Sequence, residues 1–261
     1  MSELQFLTLI FADETQSSQE HYHLVYAGAA DGRHICHLRD YFPRVTFILI
    51  DPERFALTCP KEDIINITQN QKASALTDSS KVYIINDLFT NQLAKELSTL
   101  SNLLFVSDIR TTAEGESPTD TDILWNSAQQ YNWVTILKPS ASMLKFRLPW
   151  YSGLESSLHE ILTQDLELAK KNGIDFIADY NNKVLRHFKG TIYLQAFAPI
   201  SSTETRLVIL GDDHHKLQEY KPEHYDDPPC STIIILNEAM SFTIILIPIK
   251  KSVLIIVMTV P

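Results

Sequence analysis

The stretch Tyr26-Ala27-Gly28-Ala29-Ala30-Asp31-Gly32 closes an apolar run that begins at His23, and a second run, Val45 to Ile50, closes on Asp51. Glycines at the end of a strand let the backbone turn tightly and approach another group closely, because no Cβ stands in the way. An acid ending the next strand can accept hydrogen bonds from ribose hydroxyls. The pattern predicts a nucleoside-binding crevice at the edge of a crossover-connected sheet, although the same glycine spacing also serves close packing of a helix on a strand.

Outward from this loop, β-branched apolar runs alternate with longer amphipathic stretches. The predicted strands are His23 to Ala27, Val45 to Ile50, Val82 to Ile85, Leu103 to Ser107, Trp133 to Leu137, Thr191 to Gln195 and Thr205 to Leu210. Between them lie predicted helices near Arg33 to Tyr41, Thr90 to Leu100, Pro118 to Tyr131 and Leu154 to Asn172. Pro118 suits a first helical turn and Ser117 is read as its cap. This alternation predicts an α/β protein built on one doubly wound sheet.

The chain has 261 residues, with 22 Lys and Arg against 32 Asp and Glu and a formal net charge of -10. That balance excludes a broad electropositive surface and confines any nucleic-acid contact to one local groove. Cys36, Cys59 and Cys230 form no C-x-x-C pair, so the reading is free thiols in a reducing compartment. The first residues, MSELQFLTLIFADETQ, have no basic n-region and do not read as a secretory signal, which places the expected protein inside the cell. At the other end, Pro248, Lys250 and Lys251 split SFTIILIPIKKSVLIIVMTVP into runs far shorter than the roughly 20 residues of a spanning helix. These runs read as two short strands or a divergent tail, and no membrane is expected.

A dinucleotide would require G-x-G-x-x-G with its pyrophosphate on a helix N-terminus, yet Asp31 sits inside the loop and would repel it. S-adenosylmethionine carries a sulfonium and an ammonium and no phosphate, so acids at Asp31, Asp51 and Asp108 suit it better. Three further segments hold polar groups in apolar company: Phe105 to Arg110, Ser142 to Trp150, and Ser201 to Leu207. Asp108 ends a strand at the ligand-facing edge, where a solvated acid is the plainer account. Lys145 must be paired or functional if buried. Glu204 precedes a strand and could pair with it, and structural ion pairs look the same in sequence.

With the glycine loop, these segments in this order resemble the poxvirus cap-specific mRNA 2′-O-methyltransferase family, whose members also serve as the small, stimulatory subunit of the viral poly(A) polymerase. The matching stretches are YAGAADGRHICHLRDYFP, ILIDPERF, VSDIR, ESPTDTDILWN, LKPSASMLKFRLPW and LQAFAPISSTETRL, spread from about Leu4 to Asp227. The resemblance implies a Rossmann-like doubly wound α/β fold of the S-adenosylmethionine-dependent methyltransferase type over residues 1-227, followed by a divergent apolar tail, 228-261. It places Tyr26, Gly28, Gly32 and Asp51 at the cofactor loop and ribose, with Glu53 or Arg54 adjacent and Leu88 or Phe89 flanking the adenine.

In that family a Lys-Asp-Lys-Glu tetrad surrounds the reacting 2′-hydroxyl, and Asp108, Lys145 and Glu204 match its last three places. The first lysine would lie on a helix before the first strand, near Ser2 or Glu3, whereas the first lysine of this chain is Lys61. Either the chain begins late or it departs from the tetrad. Trp150 matches a ring that stacks on the charged methylguanine of the cap, with a core Trp as the alternative. Asp226 matches a base-edge acid, Ser152 stands where the family has another, and Arg147, Ser202 and Thr203 match contacts near the cap and first nucleotides. The implied partners are capped mRNA and a viral poly(A) polymerase catalytic subunit, in the virion or the host cytoplasm.

Two other readings compete. A binding subunit could keep the fold and RNA surface while stimulating a polymerase without catalysis. A dinucleotide-dependent oxidoreductase would use Gly28, Gly32 and Asp51 but gives Lys145, Trp150 and Glu204 no shared purpose. His34, Cys36 and His37 share one predicted helix, but zinc needs about four converging ligands and no second cluster is spaced to supply them, so no metal is assigned. Neither G-x-S-x-G nor G-x-x-x-x-G-K-[ST] occurs.

Overall fold

The run His23 to Ala27 is apolar on both sides, as a strand covered on both faces must be, and it forms the centre of the sheet as β1 (Tyr22–Ala27). The computed structural model describes residues 2–11, 20–67, 76, 78–111, 118–147, 177–179, 184–194, 205–221, 234–235, 242–249 and 252–259. Around β1 lie β2 (Val45–Ile50), β3 (Ile64–Asn66), β4 (Val82–Ile85), β5 (Leu103–Ser107), β6 (Ala141–Phe146), β9 (Thr191–Leu194) and β10 (Thr205–Leu210). Together they make an eight-stranded sheet in the order β3-β4-β2-β1-β5-β6-β10-β9. From β3 across to β6 every pairing is parallel, and β10 runs antiparallel to both β6 and β9. The fold is therefore α/β with a mostly parallel central sheet.

Alternate residues of each strand feed two separate cores. Val25, Ile48 and Phe105 pack under α3 (Asn91–Leu97) and α4 (Asp120–Leu137). Leu24, Phe47 and Leu104 pack on the other face with α1 (Ser2–Phe11) and α2 (Ile35–Tyr41). The chain passes from β1 to β2 on one side and returns through α3 to β5 on the other side of β1, so strand order reverses there. In open sheets this is where a crevice opens beyond the carboxyl ends of the strands.

Trp133 to Leu137, expected as a strand, is the last part of α4. The run is β-rich in composition, but Ile123, Leu124, Ser127, Gln130, Tyr131, Val134 and Leu137 are all buried at helical spacing. The helix ends at Lys138, which takes φ 50, with no glycine to signal the stop. Its cap is Thr119, whose hydroxyl accepts from the Asp122 amide at 3.2 Å while the Asp122 carboxylate accepts from the Thr119 amide at 2.8 Å. This capping box displaces the expected start at Ser117 by two residues. Among the strands not predicted, which include β3 and β8 (Val184–Phe188), the one that shapes the site is β6, disguised by Ser142 and Lys145. The predicted Leu154 to Asn172 helix lies outside the described residues.

Two smaller sheets complete the description: β11 (Leu217–Tyr220), β8 (Val184–Phe188) and β7 (Ile177–Asp179), and then β12 (Ile234–Ile235), β13 (Phe242–Ile249) and β14 (Ser252–Thr259). The two apolar runs of the tail are thus strands, paired antiparallel from Phe242 with Thr259 to Ile249 with Ser252. Among the described residues no helix is long and apolar enough to cross a membrane.

The expectation of free thiols is corrected. Cys36 on α2 and Cys59 beyond β2 form a disulfide with Cα atoms 5.4 Å apart across a sequence separation of 23. Their approach follows from β1 and β2 being neighbours, which no local spacing of cysteines could signal.

Candidate functional site

Gly28 carries φ 77, and a Cβ there would lie 3.0 Å from the backbone of Asp108 and Ile109. The ends of β1 and β5 therefore touch, and glycine is required for both its conformation and its size. Next to it the Asp51 carboxylate accepts from the Ala30 amide through one oxygen and from the Glu53 amide through the other, each at 2.8 Å. Asp51 thus ties the glycine loop to the end of β2. Each of its oxygens keeps a further acceptor site.

These groups line a cavity of about 1000 Å³ that also includes Asp87, Leu88, Phe89, Asp108, Arg110, Trp125 and Trp133. Phe89 is fixed edge-on to Trp133 at 4.8 Å, while Leu88 is exposed. Asp51, Glu53, Asp87 and Asp108 outnumber Arg110 in the lining. Such a wall disfavours phosphates and suits a cationic ligand. Arg54 is exposed and stands outside this lining, and Gly32 packs against Leu57 and Phe55 instead.

Asp108 joins the cavity to a largely buried charge cluster on the α1 and α2 face of the sheet, with Arg206 buried and Lys145 half-buried. Lys145 Nζ lies 3.0 Å from Asp108 Oδ1, and Arg206 Nη2 donates to both carboxylate oxygens at 3.1 Å. Lys145 and Arg206 are register partners on β6 and β10. Gln130 of α4 donates to the Lys145 carbonyl at 3.0 Å and Thr205 to the Phe146 carbonyl at 2.8 Å, fixing the strand that carries the lysine.

Tyr26 shares that face. Its hydroxyl donates to Glu3 of α1 at 2.7 Å, and His34 Nε2 lies 3.5 Å from the same carboxylate oxygen. Burial, with the charges of Glu3 and Asp108, pushes the Tyr26 hydroxyl well above its usual range, so it remains a donor. Burial opposes ionisation of Glu3, but hydrogen bonds from His34 and Tyr26 outweigh it and hold the carboxyl well below the usual carboxylate range.

Of the residues singled out in sequence, Gly28, Asp51, Phe89 and Asp108 meet at the cavity, and Lys145 joins them through Asp108. Tyr26 lies behind the loop, and Arg147 follows β6, half-buried. Glu204, Trp150, Ser202, Thr203 and Asp226 lie outside the described residues. Sequence reasoning gave no role to Arg206, although the argument that flagged Lys145, a cation among apolar neighbours on a strand, applies to it equally. Glu3 carried no signal of its own.

The crevice at the strand-order reversal, with its glycine loop, acid-ended second strand and half-buried lysine–aspartate pair, defines an α/β protein with a candidate ligand site where the sequence pattern anticipates one. Residues 1–161 match the family model described as Poly A polymerase regulatory subunit, and the chain belongs to that family. A cap-specific mRNA (nucleoside-2′-O-)-methyltransferase of Myxoma virus (strain Lausanne) is 32% identical over 192 residues, covering 72% of this chain and 44% of that protein. Its namesake in Fowlpox virus (strain NVSL) is 28% identical over 155 residues, covering 58% of this chain and 45% of the relative. The chain spans less than half the length of the curated relatives it matches. A crystal structure titled as a ribosomal RNA methyltransferase from Plasmodium falciparum aligns with TM-score 0.35 and 13% identity, covering 78% of this chain and 93% of that one.

Proposed function

We propose that the chain carries S-adenosylmethionine-dependent methyl transfer to the ribose 2′-hydroxyl of the first transcribed nucleotide of capped mRNA. The observation that carries the reading is the contact of half-buried Lys145 and buried Arg206 with Asp108, at the lip of a cavity that Gly28 and Asp51 also line. The names of the poxvirus relatives supply the substrate class. Residues 1-227 would form the methyltransferase domain, with 228-261 as an appended tail.

S-adenosylmethionine, when bound, supplies a methyl group on an electron-poor sulfonium. The residues present fit it: both Asp51 oxygens keep acceptor capacity for ribose hydroxyls, and the acidic lining suits a phosphate-free cation. Asp51 would hold the ribose, and Leu88 and Phe89 the adenine. Transfer is an in-line displacement, so alignment of the 2′-oxygen supplies much of the acceleration. Lys145 would contact the 2′-oxygen, stabilise its developing negative charge and, when deprotonated, accept the hydroxyl proton, its ammonium held by Asp108 with Glu204 as the proposed second partner. Arg206 orients Asp108 from the opposite strand. Trp150, Asp226, Arg147, Ser202 and Thr203 are the proposed contacts to cap and first nucleotides.

A second reading follows from the family description, a regulatory subunit of poly(A) polymerase. In it the chain binds RNA and a viral polymerase catalytic subunit in the virion or host cytoplasm without transferring methyl. Labelled methyl transfer to RNAs that are uncapped, capped, or capped and already 2′-O-methylated separates the two. Label on the capped RNA alone establishes the reaction. Absence of label, with stimulation of tail elongation by a poxvirus-type polymerase, establishes the subunit.

A further inference from the structure

We infer that the Cys36–Cys59 disulfide is a redox-sensitive clamp on the cavity wall, so that its reduction weakens binding of the methyl donor. The inference rests on the reading of this cavity as the donor site. The segment 52–60 has no helix or strand, and most of its residues are exposed. It begins at Asp51 and contributes Pro52 and Glu53 to the cavity lining. Among the described residues the bonds that hold it to the rest of the fold include the Ala56 amide to the Asp31 carbonyl at 2.8 Å, the Thr58 hydroxyl to the Arg33 carbonyl at 3.4 Å, Asn86 to the Glu53 carbonyl at 2.7 Å and the Glu53 amide to Asp51 at 2.8 Å. Leu57 and Phe55 rest on Gly32, where even a Cβ would not fit beside Leu57.

The disulfide fastens the far end of this segment to the first turn of α2, the helix that follows the glycine loop. Both arms of the clamp thus meet at the loop, Asp51 through the Ala30 amide and Cys59 through Cys36. A segment without helix or strand, holding to the core through Phe55, Leu57 and Cys59, opens more readily once its cross-link is removed. Cys36 and Cys59 are both buried, so a thiolate reaches the bond only as the exposed residues around Cys59, Thr58 and Pro60, open locally. In the step itself the S–S bond breaks and two S–H groups form. A dithiol supplies both electrons and both protons, and leaves as its own disulfide.

Because a ligand and a conformational state are coupled reciprocally, a clamp that favours donor binding is itself protected by the donor to the same factor. The full chain is titrated with S-adenosylhomocysteine, a non-reacting probe, before and after dithiothreitol, beside the Cys36→Ser/Cys59→Ser double variant. Affinity should fall at least about fivefold on reduction, within the usual span of coupling between sites. The double variant should bind as the reduced protein does and ignore the reductant. Equal affinity in the oxidised and reduced forms overturns the inference, as does a thiol count in denaturant that finds both cysteines free before reduction. No binding in either form would sink the donor reading instead. Amide exchange over 52–60 then decides the clamp: faster exchange after reduction supports it, and unchanged exchange overturns it.

Discussion

Lys145 and Arg206 stand directly opposite each other on the antiparallel β6 and β10 pair, and both set their cations on the carboxylate of Asp108, at 3.0 and 3.1 Å. Like charges facing each other across a sheet are destabilising. Here the aspartate from the neighbouring β5 end cancels that repulsion in a setting where Arg206 is 6% exposed.

Removing the anion should therefore cost more than removing either cation. Asp108→Asn leaves buried Arg206 facing half-buried Lys145 with no anion between them, and is expected to lower stability by about 2 to 4 kcal/mol, somewhat below the roughly 3 to 5 kcal/mol for a fully buried pair because Asp108 is half-buried. Adding Arg206→Met to that variant should recover part of the loss in urea titration. A double variant no more stable than Asp108→Asn alone would show that the repulsion is not what the aspartate offsets.

Lys145 is not among the residues lining the cavity, whereas Asp108 is. Lys145→Ala should then lower turnover on capped RNA by roughly 10² to 10⁴, typical for loss of a general acid or base, while leaving S-adenosylhomocysteine affinity close to that of the parent. Single-turnover kinetics beside equilibrium binding makes the separation. Parent turnover in the variant would remove Lys145 from the mechanism.

Two glycines with positive φ offer an internal control. Gly28 would place a Cβ 3.0 Å from the Asp108 backbone, whereas nothing lies within 4 Å of a Cβ on Gly211. Alanine at Gly211 should cost only the conformational penalty, about 1 to 2 kcal/mol. Alanine at Gly28 should cost more, because the ends of β1 and β5 must also separate, and donor affinity should fall with it. Equal losses in the two variants would mean that the β1 and β5 ends have room to give.

What was legible in sequence followed the physics of local pattern. β1, β2, β4 and β5 are dominated by apolar residues buried on both faces, as is β10 from Leu207 to Ile209, which makes them readable one at a time. β6 was hidden because its polar residues are satisfied by distant partners: Ser142 bonds to His214 at 3.0 Å, and Lys145 pairs with Asp108. Trp133 to Leu137 misled because β-branched residues mark strands in composition while their helical spacing shows only when read with the preceding turns. Asp51 and Asp108 were found from their places at strand ends. Arg206, Glu3 and the Cys36–Cys59 bond depend on which strands are neighbours, and that is a property of the sheet order.

The last prediction concerns a group the proposed chemistry does not use. His187 on β8 is 1% exposed, with its ring edge-on to Tyr131 at 5.4 Å and to Phe146 at 5.9 Å. Burial lowers its pKa to about 4, against a smaller opposing effect of a hydrogen bond with the Ser127 backbone. In the unfolded chain it titrates near its ordinary value of about 6.5, so as pH falls through that value the unfolded state takes up a proton that the folded state refuses. Stability from this group is thus full at neutral pH and is lost progressively as pH falls from about 6.5 to about 4, amounting to about 2 kcal/mol between pH 7 and pH 5. His187→Phe keeps a ring in the cluster and removes the proton site, so urea midpoints of the variant should decline less over that interval. Parallel declines in the two proteins would place the acid sensitivity elsewhere.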